Sequence, residues 1–427
     1  MLVSFAVENF GAFRDRAILD LRVPASTDAP HGLTPFGEQV ASVAVTYGAN
    51  ASGKTTLLEA IVRLQSAVAH SHRSWDPEGG TNARPFLLRA EAATHPTTWR
   101  ITFVPSDGPP GQYEYTVTMD SSSVRSETLR HKSVSSRRSR WLFRRSDQDV
   151  MTTDRSVLSL QPKLRRNSLL LSVAAQENEQ SLLPAFSWIT KRLLTARRLG
   201  TPEGQSRALS QLVREEDLPL VKDLARSADL GIDEVRGTRL TTAQLDELRT
   251  TARRIQDALP GMNILPPAGE FAALTFGHTT ARGETYYLPE AMESDGTMTY
   301  LAAGLLAERA LRTGGVAVID ELDASLHPTL VEDLVALFRS SSTNPHGAQL
   351  IATTHDTHLF GRSSIEPLSR HEVWFTEKDT DGASTLFRLG DFPGVRPTVD
   401  QEHRYLVGRY GAVPSLHLPQ RAESSGR

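Results

Sequence analysis

The sequence predicts an α/β fold in which parallel strands alternate with crossover helices. Residues 43–47 form a short apolar run that is followed by a glycine-containing loop and then by a segment rich in helix formers. Two further apolar runs, residues 316–319 and 350–354, are each preceded by a segment with helical periodicity. Strands and helices that alternate in this way favour a parallel sheet covered by helices.

A second region is predicted to be an antiparallel β subregion. Between about residues 84 and 143, apolar and polar residues alternate with a period of two, as in Trp99, Ile101 and Phe103. A proline- and glycine-rich loop at residues 105–111 separates two such runs. This pattern is typical of strands joined by turns.

A helical subregion is expected to follow, since apolar residues recur at spacings of three and four between about residues 176 and 260. The chain is therefore divided into an N-terminal lobe (residues 1–175), a helical insertion (176–262), a C-terminal lobe (263–414) and a disordered tail (415–427).

Composition excludes several kinds of chemistry. The 427 residues include no cysteine, which removes disulfides, thiolate zinc sites and cysteine nucleophiles. The 47 lysines and arginines nearly balance the 50 acidic residues, giving a formal charge of −3, so overall charge does not demand a nucleic-acid partner. The start lacks a signal-peptide pattern, and no apolar stretch reaches the length of a membrane span. We therefore expect a cytoplasmic protein without a membrane partner.

A glycine-rich loop provides the first chemical signal. Residues 48–55, GANASGKT, match the pattern G-x-x-x-x-G-K-S/T between a predicted strand and a predicted helix. In such a loop, backbone N–H groups surround phosphate, the lysine contacts the β- and γ-phosphates, and the hydroxyl ligates Mg²⁺. The predicted nucleotide-binding residues here are Gly48, Ala49, Asn50, Ala51, Ser52, Gly53, Lys54, Thr55 and Thr56.

Two acids end the predicted strand at residues 316–319. Asp320 could hold the Mg²⁺ shell, and Glu321 could orient or deprotonate an attacking water. The alternative is a core strand with polar residues at its exposed end. His355 follows another apolar strand, where open α/β sheets place their ligands, and it is a candidate sensor of the γ-phosphate. A structural histidine, or a metal pair with His358, is the alternative there.

The order of these motifs resembles one family of ATPases. GANASGKTT, ESDGT, VAVIDELDASLHP and IATTHD follow one another as in the ABC-type ATPase heads of the RecF, SMC and OLD kind. More narrowly, the opening VENFGAF and the late segment RYLVGRYGAVP resemble bacterial AAA-family ATP-binding proteins of phage defence, including the RloA-like and AriA-like ATPases. This resemblance implies a P-loop NTPase fold, an ABC-type head with the β and helical subregions inserted.

The resemblance also implies roles for individual residues. Lys54 and Glu321 match the Walker A lysine and the catalytic glutamate, and His355 matches the switch histidine, so these three are the expected catalytic residues. Thr55 and Asp320 match the magnesium ligands, and Gln176 is the best candidate for the Q-loop glutamine that would join them. A surface glutamine on a helix is the alternative for Gln176. The remaining expected nucleotide contacts come from the D-loop and the ABC signature: Asp323, Ser294, Asp295, Gly296 and Thr297.

In such heads, ATP lies between the Walker A loop of one subunit and the signature of another. A single copy of each motif therefore implies a homodimer or a higher homo-oligomer. The implied function is Mg²⁺-dependent ATP hydrolysis that switches a separately encoded, nuclease-like effector in a defence system of the abortive-infection type. The alternative is a RecF-like ATPase of DNA repair or maintenance.

A basic cluster raises nucleic acid as a further candidate partner. Seven cations occur between residues 130 and 145, with Trp141 and Phe143 among them, and Lys163, Arg165 and Arg166 follow. The aromatic rings could stack on bases while the cations contact phosphates. A solvated hairpin whose aromatic side chains turn into the core is the competing interpretation.

Overall fold

A computed structural model gives the fold of the chain. It describes residues 1–25, 30–196, 215–239, 271–395 and 399–413, together with isolated positions between 201 and 213 and between 241 and 254. The predicted tail, residues 415–427, lies outside the described residues, as does most of the helical pattern predicted near residues 245–259. Within the described part of the chain, no helix combines the length and the apolar character that crossing a bilayer requires.

The described strands are β1 (Leu2–Glu8), β2 (Ala17–Asp20), β3 (Arg22–Val23), β4 (His31–Leu33), β5 (Gln39–Ala41), β6 (Val43–Tyr47), β7 (Thr97–Phe103), β8 (Gly111–Met119), β9 (Val124–Ser133), β10 (Ser139–Ser146), β11 (Asp149–Met151), β12 (Leu193–Ala196), β13 (Glu234–Arg239), β14 (Phe271–Thr279), β15 (Thr285–Pro289), β16 (Val316–Ile319), β17 (Gln349–Thr353), β18 (Val373–Lys378) and β19 (Ser384–Arg388). The described α-helices are α1 (Lys54–His70), α2 (Ala90–Thr94), α3 (Arg155–Leu158), α4 (Leu170–Gln176), α5 (Leu183–Lys191), α6 (Leu218–Ser227), α7 (Asp295–Thr313), α8 (Pro328–Arg339) and α9 (Gln401–Leu406).

A six-stranded sheet forms the centre of the fold and confirms the predicted α/β class. Its strand order is β12-β16-β17-β6-β18-β19, and the first five strands are parallel. Every residue of β6, β16 and β17 is buried, as expected for strands covered on both faces. Because these strands are parallel, their carboxyl ends, and the loops that follow them, lie at one edge of the sheet.

A seven-stranded sheet of order β11-β10-β9-β8-β7-β1-β2 is antiparallel throughout and contains the strands that the alternating pattern predicted. One face carries the buried side chains of Trp99, Ile101 and Phe103. The Trp99 indole N–H donates to the carbonyl of Ala60 (3.1 Å), which ties this sheet to α1. The opposite face is polar.

Gln349 joins the two large sheets. This side chain is 2% exposed and begins β17. Its amide nitrogen donates to the carbonyl oxygens of Leu2 (2.9 Å) and Ala41 (3.0 Å), and its amide oxygen accepts from the Leu2 N–H. One buried amide therefore holds β1 and β5 against the parallel sheet.

The range predicted as a helical insertion also contains strands. Within residues 176–262, β12 forms the edge of the parallel sheet and β13 pairs with β14. The run that forms β12, LLTA, is only four residues long, which is too short for periodicity to separate a strand from a helical segment. Its pairing with β16 decides the conformation.

A buried ion pair stabilises the junction of the antiparallel sheet with α4. The side chains of Glu127 and Arg145 are both 0% exposed and lie 3.3 Å apart. The Glu127 carboxylate also accepts from the Tyr115 hydroxyl (2.8 Å) and from the backbone N–H groups of Leu170 (2.6 Å) and Leu171 (2.9 Å). Arg145, one of the predicted basic cluster, is therefore part of the core.

Replacing Glu127 with alanine is expected to lower the free energy of unfolding by about 3–5 kcal/mol, because Arg145 would be left as an unpaired buried charge. Urea unfolding followed by circular dichroism measures the loss. Arg125→Ala is the matched control, since Arg125 is half exposed and its pairs with Asp120 and Asp147 should contribute at most about 1 kcal/mol. A loss in Glu127→Ala no larger than in this control would contradict the prediction.

Candidate functional site

The glycine loop joins β6 to α1 at the carboxyl edge of the parallel sheet. Gly48 and Gly53 have φ values of +152° and +111°, which favour glycine. A Cβ at Gly48 would lie 2.4 Å from the Thr376 carbonyl oxygen, and a Cβ at Gly53 would lie 2.7 Å from Ser384 Oγ. Gly53 precedes α1 without a side-chain cap, so the first N–H groups of the helix can bind an anion.

Lys54, the first residue of α1, is 7% exposed and lies over this loop. Its Nζ donates to the carbonyl oxygens of Gly48 (2.7 Å) and Ala49 (3.1 Å). Burial lowers the pKa of Lys54, while the nearby carboxylates of Asp320 and others oppose that shift. The Lys54 cation therefore lies against the backbone of the loop that the motif predicts to bind phosphate.

Asp320 links the loop to the neighbouring strands. This carboxylate is 5% exposed, and its Oδ1 accepts from Thr55 Oγ1 (3.2 Å) and from Thr353 Oγ1 (2.7 Å). The hydroxyl and carboxylate oxygens of Thr55 and Asp320 suit Mg²⁺, whose adjacent octahedral ligands lie about 2.9 Å apart. Among the described residues, no cluster of three or more acidic or histidine side chains could hold a metal alone. Mg²⁺ would therefore need phosphate oxygens and water as further ligands.

Glu321 has a strained backbone next to this pair. Its φ of +54° is in the left-handed region, which costs a non-glycine residue about 1–2 kcal/mol. The Glu321 N–H donates to Thr353 Oγ1 (2.8 Å), and this bond fixes the turn that leaves the side chain exposed. Strain of this kind is concentrated at functional positions. Thr353, which sequence reasoning missed, thus positions both acids.

Asp323 and His355 are brought together at the same edge. The backbone N–H of His355 donates to Asp323 Oδ2 (3.1 Å), while Asp323 Oδ1 is buried and has no protein donor among the described residues. The His355 side chain is exposed. Next to it, burial raises the pKa of Asp356. The D-loop and the predicted switch histidine therefore share one hydrogen bond beside the acids.

The predicted signature begins α7. Ser294 caps the helix by accepting from the Thr297 N–H (3.0 Å), and both Ser294 and Asp295 are exposed. Gly296 packs against the segment after Asp323, since a Cβ there would lie 2.6 Å from the Ser325 carbonyl oxygen.

Side chains from outside α7 contact its first turn and the residue before its cap. The Gln205 amide is 2% exposed and donates to Thr299 Oγ1 (3.0 Å) and to the Asp295 carbonyl (3.3 Å). Glu293 pairs with His278 Nε2 (2.7 Å) just before the cap. Glu293 is the first residue of the ESDGT segment, whereas sequence reasoning missed Gln205 and His278, to which no local pattern points.

The signature and the glycine loop of one chain lie over different strands. Helix α7 packs beside β12 and β16, whereas the loop follows β6, two strands or about 10 Å from β16. No hydrogen bond among the described residues joins residues 294–297 to residues 48–56. The exposed Ser294 and Asp295 are therefore not engaged by the glycine loop of their own chain.

The structure does not bring Gln176 to the other predicted metal ligands. Gln176 is exposed at the end of α4, whose first residues contact the C-terminal end of α1: the Leu169 N–H donates to Ser71 Oγ (3.0 Å). Thr55 is at the other end of α1, about 24 Å from Ser71 along the helix.

Comparison with known proteins gives a matching family and solved structures that include two SMC heads. The family model described as "AAA domain, putative AbiEii toxin, Type IV TA system" matches residues 43–361, a span that contains the loop, the signature, Asp320 and His355. No curated protein matches the chain. An SMC head bound to the C-winged helix domain of ScpA is 14% identical, with 91% of this chain and 97% of that one covered and a TM-score of 0.39. The SMC head domain from Thermotoga maritima is 12% identical, with 91% of this chain and 98% of that one covered and a TM-score of 0.38.

Proposed function

The chain belongs to the AAA-domain family described as putative AbiEii toxin of a type IV TA system, and from that premise we propose that it binds ATP with Mg²⁺ and hydrolyses it. The observation that carries the proposal is the position of Asp320. Its carboxylate contacts the loop hydroxyl of Thr55 and lies next to Glu321, so a phosphate-binding loop, a metal ligand and a general base meet at one place.

The residues divide the chemistry among them. Lys54 and the N–H groups at the start of α1 bind the phosphates and hold them in position. Thr55 and Asp320 would hold Mg²⁺, which when bound neutralises charge on the β- and γ-phosphates. Glu321 accepts a proton from, or orients, the attacking water, and His355 lies at the same edge to contact the γ-phosphate.

We further propose that the complete site forms between two copies of the chain. Ser294 and Asp295 are exposed at the N-terminus of α7, where the helix dipole favours an anion, so this end of the helix can bind the phosphates on a partner's loop. A symmetric dimer would contain two such composite sites, because each chain supplies one loop and one signature.

The biological role proposed here is a cytoplasmic switch. ATP closes the dimer, hydrolysis opens it, and the two states differ in their affinity for a separate, nuclease-like effector of a defence system. The family's description, which includes a putative toxin, supports a role in such a system. ATP-dependent binding of the product of the neighbouring gene to this protein would test it, and equal binding with and without ATP would contradict it.

Lys54→Met is expected to weaken ATP binding about 100-fold, because a buried cation directed at the phosphates is replaced by an apolar side chain of similar length. Titration with a fluorescent ATP analogue measures the affinity. Lys191→Ala is the control, since Lys191 is exposed at the end of α5. Unchanged affinity in Lys54→Met, with an unchanged melting temperature, would contradict the proposed site.

The alternative is a DNA-maintenance ATPase whose basic segment binds duplex DNA. Two arginines of that segment already make contacts within the chain. Arg145 is buried against Glu127, and Arg165 donates to the carbonyl oxygens of Ser71 and His72. Stimulation of ATP hydrolysis by duplex DNA would favour this alternative over the effector switch.

A further inference from the structure

One exposed aromatic side chain stands out on the polar face of the antiparallel sheet. Trp141 is 41% exposed, and two guanidinium groups lie near its ring: Arg130 at 4.7 Å and Arg144 at 5.0 Å from the ring centroid. We call Trp141, Arg130 and Arg144, together with Arg137 and Arg138 at the adjacent hairpin tip, the Trp141 surface. Arg140 pairs with the buried His131 and therefore lies on the opposite face of β10.

A break in the strand register keeps this ring outside. The pairing of β10 with β9 shifts between Trp141 and Phe143, where one extra residue interrupts the ladder. Phe143 therefore turns into the core and is fully buried, while Trp141 remains on the outer face with Arg130 directly opposite on β9. Only one of the two aromatic residues in the basic cluster belongs to the core.

The cations on this surface have few carboxylate partners. Within the described part of the chain, none of Arg137, Arg138 and Arg144 lies within 4.0 Å of a carboxylate, and Arg130 has one distant partner, Glu114, at 3.8 Å. Both tip arginines are exposed. Such a cluster of unpaired cations attracts a polyanion and releases counterions when the polyanion binds.

We propose that the Trp141 surface binds single-stranded nucleic acid. The guanidinium groups at the hairpin tip contact backbone phosphates, and the indole, with its two flanking guanidinium planes, offers a flat platform on which unpaired bases stack. A duplex keeps its bases stacked on one another and cannot use this platform, so the exposed ring favours a single strand.

This surface is separate from the nucleotide site and does not rest on the proposed ATPase activity. The glycine loop follows β6 in the parallel sheet, whereas β9 and β10 are at the far side of the antiparallel sheet from β1. Binding can therefore be measured without ATP, and loss of binding need not change turnover.

The test measures fluorescence anisotropy of a labelled oligothymidylate with the full chain, over about 50–200 mM salt. The first variant, called the tip variant, combines Arg137→Gly with Arg138→Ser. Arg137 has a φ of +51°, so glycine relieves strain there and protects folding. The matched control replaces two exposed arginines elsewhere with serine and changes the net charge equally: Arg16 and Arg73.

We expect tight binding by the wild type and by the control variant. The tip variant should bind about 25-fold more weakly near 0.1 M salt, with a salt slope shallower by about 1.4, as the loss of two phosphate contacts predicts. Trp141→Ala should weaken binding about tenfold, and Trp141→Phe should restore most of it. Turnover of ATP without nucleic acid should not change in any variant.

Three results would overturn the proposal. The first is equal weakening in the tip variant and the control variant, which would show only an effect of net charge. The second is equal or tighter binding of a duplex of the same length, together with no effect of Trp141→Ala. The third is displacement of the oligonucleotide by polyglutamate at equal charge concentration, which would indicate an acidic protein as the partner.

Discussion

Glu321→Gln is expected to reduce the rate of ATP hydrolysis about 1,000-fold while ATP remains bound. The amide cannot accept a proton from water, whereas the backbone contact that shapes this turn, from the Glu321 N–H to Thr353 Oγ1, does not involve the side chain and should persist. Phosphate release measures turnover, and retention of labelled ATP measures binding. Because opening follows hydrolysis, the variant should also accumulate as a dimer in ATP and Mg²⁺, detectable by its mass in solution.

Glu284→Gln is the control, since Glu284 is exposed in the turn between β14 and β15. It removes the same charge and should leave turnover unchanged. A Glu321→Gln protein that hydrolyses ATP at the wild-type rate would contradict the assignment of the general base. One that neither hydrolyses nor binds ATP would instead indicate damage to the Asp320 contacts.

Mixing two inactive variants is expected to restore hydrolysis. Lys54→Met disables the loop, and Ser294→Asp disables the signature, because aspartate still caps α7 but places a negative charge toward the phosphates. If the signature acts on the partner's loop, each variant alone should retain less than about 1% of the activity. An equal mixture should recover about a quarter, since half of the dimers are mixed and each mixed dimer has one intact site.

The outcome distinguishes composite sites from sites within one chain. A mixture that stays inactive, under conditions where exchange of subunits is shown by labelled chains, would contradict the proposed dimer. Mixing Lys54→Met with Glu321→Gln is a further control. In those mixed dimers the only site with an intact loop carries the Glu321→Gln change, so no activity should return.

The loop and the parallel strands could be predicted from the sequence because each has a local cause. Gly48 and Gly53 adopt backbone angles that favour glycine. Strands β6 and β16 are mostly apolar and are buried at every position because both faces are covered. Asp320 follows β16 directly, so its place at the carboxyl edge followed from strand direction alone.

Other parts of the site depend on contacts between distant positions. Gln205 contacts Thr299 across 94 residues of sequence, and no local pattern indicates that pairing. Thr353 is one of two adjacent threonines, and only its register beside Asp320 distinguishes it. The order of motifs points to Gln176 as the Q-loop glutamine. That order does not show that α4, which carries Gln176, contacts the end of α1 that is far from Thr55.

The residue pattern of β10 shows why the sequence alone could not tell which members of the basic cluster are buried and which are exposed. A pattern of period two places Trp141 and Phe143 on the same face, and the register shift between them sends the two rings to opposite faces. Arg145 follows Phe143 by two residues and is buried with it. A single extra residue thus separates a core arginine from those that face solvent.

The Gln349 amide has a mechanical consequence. Because it makes two hydrogen bonds with Leu2 of β1 from within the parallel sheet, sliding the seven-stranded sheet past the parallel sheet would break both bonds and leave their buried polar groups unsatisfied, at a cost of about 1–3 kcal/mol each. The two sheets should therefore rotate as one rigid body. A rotation that begins at the glycine loop would carry the β9–β10 hairpin with it, and the displacement would grow with distance from the axis.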